Sequence, residues 1–237
     1  MPEVTGEIQT RDARRRPQPE EGPVDVIYED EWMLVANKPP GVVVHPTYKN
    51  TSGTLLNAVL WRVRERGGAQ PGILTRLDKD TSGLVVIALT AGVHRVMQKD
   101  AAAGATNKRY LALVRGLPEP SRGQIVLPLA RDPEDRRRVI VSTDGAACET
   151  RYEVVSGNHR LSMVCCELVT GRTHQIRVHL AARGWPILGD HVYGEADPSM
   201  PRQALHAWRV ALRHPVTRQP LEFEAPLPDD MARLYGY

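Results

Sequence analysis

Six consecutive aliphatic residues, Leu84-Val85-Val86-Ile87-Ala88-Leu89, constrain this chain more than any other feature. A membrane-spanning helix needs about 20 apolar residues, so the run is far too short to be one. Continuous and rich in β-branched side chains, it reads as a short strand that must be buried. Directly before it stands Ile73-Leu74-Thr75-Arg76-Leu77-Asp78-Lys79-Asp80-Thr81-Ser82-Gly83. A buried strand therefore begins at the end of a loop that carries carboxylates, hydroxyls and cations.

The rest of the chain reads as an α+β mixture in one domain. Val24 to Tyr28 alternates as a strand, Glu29-Asp30-Glu31 turns, and Trp32 to Asn37 is its hairpin partner. Thr54 to Arg64 has apolar residues at 55, 56, 59, 60 and 63, which is helical spacing. Ala91 to Ala103 is a second helix, ending at Gly104. Lys108 to Val114 and Leu161 to Val169 are strands. Residues 121–160 form a meander of short strands with a charged loop from Arg131 to Arg138. Thr173 to Arg183 is a third helix, with Thr173 capping its start and Gly184 its end. Ala204 to Leu212 pairs with Leu221 to Ala225 through the Pro215-Val216-Thr217 turn. Residues 1–23, with Arg14-Arg15-Arg16 before a Pro- and Glu-rich stretch, read as a mobile tail. The folded domain is expected over 24–237.

Cysteine usage points to a reducing compartment. Cys148, Cys165 and Cys166 are an odd set, and Cys165 and Cys166 are adjacent and lack zinc spacing. The N-terminus has no apolar stretch of the secretory kind, so a cytoplasmic location is expected. Net charge is only +3, but the basic set holds 26 Arg and 5 Lys. Arg suits bidentate phosphate contacts and stacking on bases. A GC-rich genome gives the same excess, so the bias alone decides nothing.

Three chemistries compete for the Asp78 loop. Asp78, Asp80, Ser82 and Gly83 match the first half of a calcium loop, but its twelfth position is Leu89, which cannot ligate. An Asp-x-Asp-Thr run can also supply an aspartyl nucleophile and a magnesium-holding acid. In that arrangement the apolar strand precedes the first Asp, and here it follows. A magnesium-dependent aspartyl phosphotransferase or hydrolase using Asp78 and Asp80 therefore stands as the alternative. The third reading is a lone nucleophilic or basic Asp78, with Arg76 nearby to favour its charge. An ordinary Asp-rich turn, with side chains bonded to its own backbone, fits the same residues.

A second polar constellation is Gly171-Arg172-Thr173-His174-Gln175-Ile176-Arg177-Val178-His179-Leu180. Ile176 and Leu180 supply its buried stripe. His174 and His179 are five apart and do not share a helix face, so zinc is a poor reading. A buried Arg needs a carboxylate, and Asp78 is the candidate partner for Arg177.

Together these segments resemble RluA-type pseudouridine synthases. Arg76-Leu77-Asp78-Lys79-Asp80-Thr81-Ser82-Gly83-Leu84 is similar to the family's R-L-D-x-x-T-S-G-L signature, and Gly171 to Leu180 to its second motif. Pro186-Ile187-Leu188-Gly189-Asp190 and Tyr193-Gly194 continue the second motif. Asn37-Lys38-Pro39-Pro40-Gly41 with His45-Pro46 resembles the opening, and Lys108-Arg109-Tyr110-Leu111-Ala112 the K-x-Y-x-A segment. Leu205-His206-Ala207-Trp208 and His214-Pro215 resemble the close. One departure is Thr75, where family members usually carry His.

The resemblance implies a pseudouridine synthase fold, α+β, with a mixed, mostly antiparallel sheet, flanking helices and a central active-site cleft. It implies an isomerase that flips a uridine of ribosomal or transfer RNA out of its stack and rejoins the base to ribose through C5. Asp78 would be the essential carboxylate, as nucleophile at C1′ or as base at the 2′ position. Arg177 would pair with it, and Tyr110 would stack on the base and serve the C5 proton transfer. Arg76 would fill the vacated stack. His45, Lys108, Arg172, His174 and Gln175 would contact RNA. No cofactor, metal or membrane is implied, and a monomer without a separate N-terminal RNA-binding domain is expected. A non-catalytic RNA-binding relative would lack Asp78, Tyr110 or Arg177, and all three are present.

Overall fold

A computed structural model describes residues 17–47, 50–135 and 137–235 of the chain. The first hairpin is β1 (Val26–Glu29) and β2 (Met33–Lys38), followed by helix α1 (Leu55–Arg62). A short β3 (Gly72–Ile73) precedes the aliphatic strand β4 (Ser82–Ala88), helix α2 (Ala91–Ala102) and β5 (Asn107–Arg115). The meander holds β6 (Arg122–Val126), β7 (Leu129–Arg131), β8 (Val139–Val141) and β9 (Glu149–Gly157). Then come β10 (Leu161–Leu168), α3 (Gln175–Ala182), β11 (Leu205–Arg213), β12 (Pro220–Glu224) and α4 (Asp229–Tyr235).

One sheet runs β1-β2-β4-β11-β5-β10-β9-β6, with β12 on β11 and β3 on β4. The pairing is antiparallel except between β4 and β11, where His206 lies opposite Ser82 and Ala207 opposite Gly83. The sheet is thus mixed and mostly antiparallel, as expected, with β7 and β8 forming a separate pair. The continuous aliphatic run follows from burial on both faces. Val85 and Ile87 pack with Leu55, Val59 and Val63 of the α1 region. Leu84, Val86 and Ala88 pack with Val93 and Met97 of α2.

The parallel contact joins the β2–β4 part of the sheet to the β5–β10–β11 part, and Gly83 sits at the seam. Its φ is +107°, and a Cβ there would lie 2.3 Å from the Ala207 carbonyl oxygen. Both facts exclude a side chain. Beside it, the Ser82 hydroxyl is 3.0 Å from His206 Nδ1, and His206 Nε2 is 3.4 Å from the Ala225 carbonyl. Burial holds the His206 pKa down to about 4. Neutral His206 therefore donates from Nε2 to Ala225 and accepts from Ser82.

Three sequence expectations need correction. Ordered contacts begin before Val24. Asn57, buried in the capping box of α1, donates its amide to the Gln18 carbonyl at 2.6 Å, and Glu20 accepts from the Gly53 N–H at 2.6 Å. The spare N–H groups of a buried cap require acceptors, and residues 17–23 supply them. Arg14 to Arg16 lie outside the described residues. Second, α3 starts at Gln175, because His174, not Thr173, is the N-cap, with φ 55° and no capping side chain. Its end is as expected: Gly184 donates to Ala181 and Trp185 to Leu180, the bonding of a Schellman motif. Third, α4 was not anticipated, and it buries Met231 completely.

Gly83→Ala is expected to destabilise the protein by about 2–4 kcal/mol, combining a disfavoured backbone with overpacking. Urea unfolding of the variant measures this, and an unchanged midpoint would refute the close approach.

Candidate active site

The Asp78 loop is tied down at nearly every residue. Leu74 N–H donates to the Val86 carbonyl, and Thr75 Oγ1 accepts from Val86 N–H at 2.9 Å. Thr75 therefore fastens the loop to β4. The Thr81 N–H closes a turn on the Asp78 carbonyl at 3.1 Å. Lys38, fully buried at the end of β2, donates to three carbonyls: Pro39 at 2.7 Å, Val42 at 2.8 Å and Lys79 at 2.9 Å. Burial brings its pKa down to about 7, against the opposing pull of Asp80 and Asp78. From the other side, Arg202 donates to the Asp80 carbonyl at 3.1 Å and is itself held by Asp230 of α4 at 2.7 and 2.8 Å.

Arg177 projects from α3 into the interior with its side chain 6% exposed. Its Nε and Nη2 grip both oxygens of Asp190 at 2.7 and 2.8 Å, and its Nη1 donates to Asp78 Oδ2 at 3.0 Å. Burial opposes the charge on Arg177, but Asp190 and then Asp78 outweigh it and raise its pKa. Burial likewise opposes the Asp190 charge, and Arg177 together with the Val192 and Tyr193 N–H groups reverses this and lowers its pKa. The partner expected from sequence was Asp78. The structure gives Arg177 two partners and makes Asp190 the bidentate one.

His174 Nε2 lies 3.8 Å from Asp78 Oδ1, and its Nδ1 is 2.8 Å from the Tyr193 hydroxyl. Gln175 is buried, and its amide is filled by protein partners. Its oxygen accepts from Thr170 and the Arg172 N–H, and its nitrogen donates to the Glu149 carbonyl and Thr150. His179 is also satisfied internally, between Thr150 and the Leu127 carbonyl.

These side chains meet at one cleft of about 480 Å³, lined by His45, Arg76, Asp78, Lys108, Tyr110, Arg172 and His174. Gln175 and Arg177 line its inner end, where Asp78 and Tyr110 recur. All nine residues singled out from sequence therefore converge there. Tyr110 is buried, and that burial, followed by the nearby Asp78, raises its pKa. The phenol stays protonated. Burial lowers the pKa of Lys108, whose ammonium has no carboxylate partner among the described residues. Arg76 and Arg172 are exposed at the rim. Asp80 does not line the cleft, so the two carboxylates of the Asp-x-Asp run do not face one site. Among the described residues, no three His, Cys, Asp or Glu side chains gather as a metal site.

Sequence reasoning missed Asp190, Tyr193, Lys38 and Arg202 as parts of this site. Signals existed for three of them, since Lys38, Asp190 and Tyr193 lie in segments that carry the family resemblance. Arg202 had none.

The family model described as RNA pseudouridylate synthase matches residues 32–182, which include Asp78, Tyr110 and Arg177. The ribosomal large subunit pseudouridine synthase D of Zymomonas mobilis is 38% identical over 234 residues, covering 92% of this chain and 74% of the relative. An uncharacterized RNA pseudouridine synthase of Bacillus subtilis, YlyB, is 40% identical over 216 residues, covering 89% and 71%. The solved structure of human RNA pseudouridylate synthase domain containing 1 superposes with a TM-score of 0.69 at 26% identity, over 87% of this chain and 86% of that one. With more than half of the chain inside the family model and named synthases matching nearly all of it, this chain belongs to the RNA pseudouridylate synthase family, enzymes that isomerise uridine in RNA.

Proposed function

We propose that this enzyme makes pseudouridine in large-subunit ribosomal RNA, with Asp78 as the reacting carboxylate. The RNA class rests on the names of relatives such as those of Zymomonas mobilis and Nitrosomonas europaea, the latter 41% identical over 90% of this chain. The chemistry rests on one observation. Asp78 is a quarter exposed to the cleft, with one oxygen on Arg177 and the other open. Asp190 balances the charge of Arg177, so Arg177 orients Asp78 without cancelling its charge. Attack on C1′ and removal of the 2′ proton both call for such an ionised carboxylate with an open oxygen.

The isomerisation breaks the C1′–N1 bond, forms a C1′–C5 bond, releases the C5 proton to solvent and leaves N1 to take one up. It involves no net redox change. Tyr110, held as a phenol, provides a stacking wall for the extruded base. Arg76 sits exposed at the cleft mouth, where its planar guanidinium takes the place of the flipped base in the stack. Lys108, Arg172 and His45 contact phosphates of the bound strand. Gln175 serves the loop rather than the RNA, because its amide is already filled. We read the described residues as one catalytic domain that acts as a cytoplasmic monomer. No helix among them is long and apolar enough to cross a membrane.

Tritium release from RNA labelled at uridine C5 tests the assignment. Wild type is expected to release tritium from large-subunit ribosomal RNA and not from transfer RNA. Asp78→Asn is expected to lose about 10³-fold or more in rate while binding RNA within about threefold. Turnover at the wild-type rate would remove Asp78 from the chemistry.

Lys108→Ala should weaken binding to all RNA sequences alike and reduce the slope of log affinity against log salt by about one, as loss of one phosphate contact requires. An unchanged slope would place Lys108 off the RNA.

Asp190→Asn leaves the buried Arg177 short of its main partner and should cost about 3–5 kcal/mol near neutral pH. The native pKa of Asp190 is depressed. Its contribution is therefore full above the unfolded value of about 3.9 and is lost as pH falls through the native value. Unfolding curves across the acid range should show a shallower acid loss in the variant. An identical pH dependence would mean that the pair does not stabilise the fold.

A further inference from the structure

Only two non-glycine residues among those described have positive φ, and His174 is one of them, at 55°. It caps α3 without a capping hydrogen bond. A helix of this sequence had Thr173 available as a conventional cap, so the backbone at His174 serves something other than the helix.

What it serves is the direction of the imidazole. The Tyr193 hydroxyl lies 2.9 Å from the Val139 N–H and 2.8 Å from His174 Nδ1. A backbone amide can only donate, so it occupies one oxygen lone pair, and among the described residues Nδ1 is the acceptor within hydrogen-bond distance of the hydroxyl. With the phenolic proton directed at Nδ1, the ring carries its own on Nε2. That nitrogen faces Asp78 Oδ1 at 3.8 Å. No hydrogen bond reaches Oδ1 among the described residues, while Arg177 takes Oδ2 at 3.0 Å. Tyr193 is fixed in turn, edge-on to the imidazole with ring centroids 5.6 Å apart and its N–H on Asp190 at 3.3 Å. The charged groups facing His174 are Asp78 and Asp190, which favour the imidazolium, and Arg177, which opposes it. Burial is the largest influence and keeps the ring neutral.

A carboxylate held through one oxygen rotates readily about its last torsion, which is broad. A second donor that closes on the other oxygen would limit that rotation, and Nε2 stands one short movement away at 3.8 Å. We propose that the Tyr193–His174 pair is a positioning device, in which Tyr193 fixes His174 as a neutral Nε2–H donor that aims Oδ1, the oxygen of Asp78 that reacts. This rests on Asp78 being the reacting carboxylate. It places His174 behind the catalytic group, not against the RNA backbone.

Two measurements on the full chain test it. Nitrogen NMR of histidine-labelled protein should show His174 protonated at Nε2 alone, and Tyr193→Phe should turn this into a mixture of tautomers. Steady-state tritium release gives the second readout. His174→Asn keeps a residue tolerant of the left-handed backbone but carries its amide only as far as Nδ1. It should lose about 30–100-fold in kcat with KM within about twofold. His174→Gln, whose amide nitrogen reaches the level of Nε2, should recover about tenfold of that loss. A proton on Nδ1 in the wild type, full kcat in His174→Asn, a loss confined to KM, or no recovery in His174→Gln would each overturn the proposal. A wild-type chain that releases no tritium from any RNA would instead refute the proposed function, and the tautomer measurement would still decide the role of Tyr193.

Discussion

Arg177 brings a full charge into the interior, and most of the site follows from how that charge is balanced. Removing a guanidinium from water is tolerable only when carboxylates and further hydrogen bonds replace the lost solvation. Asp190 supplies the bidentate match, with its side chain 1% exposed. Because the Asp190 carboxylate is buried too, it needs more than Arg177, and it takes the Val192 and Tyr193 N–H groups at 3.1 and 3.3 Å. Those bonds shape the turn that carries Tyr193. Tyr193 then reaches both the Val139 amide and His174. A single buried cation thus organises two loops and one helix start around Asp78.

The loop that bears Asp78 obeys the same logic from its other side. Loops of this kind lie at surfaces and move. Here two cations, Lys38 and Arg202, point their donors at consecutive backbone carbonyls, Lys79 and Asp80. Neither is hydrogen-bonded to the Asp78 carboxylate. Both hold the loop backbone, so the carboxylate between them and Arg177 is placed without being enclosed. Arg202 also carries the link outward, since its other partner, Asp230, belongs to the C-terminal helix.

Much of this was legible in residue order. The aliphatic run from Leu84 demanded burial, and the structure covers it on both faces. The hairpin at residues 26–38 and the last strand pair read correctly because period-two patterning and turn residues agree there. The start of α3 did not read correctly. Thr173 is the better local cap, and the tertiary demand on the imidazole overrode it. Contacts also begin earlier than composition suggested, because buried Asn57 donates its amide to the Gln18 carbonyl and its own carbonyl accepts from the Glu20 N–H.

By itself the sequence determined which segments carry chemistry and which family they compose, since ordered motifs and burial patterns are local properties of the chain. Tertiary structure alone decided the pairings. Asp78 and Arg177 are 99 positions apart, and Arg202 and Asp80 are 122 apart. No local pattern ranks Asp190 above Asp78 as the partner of Arg177, or brings the Tyr193 hydroxyl to His174 Nδ1. Those outcomes depend on hydrogen-bond lengths and angles, and these exist only once distant segments have been brought within about 3 Å of each other.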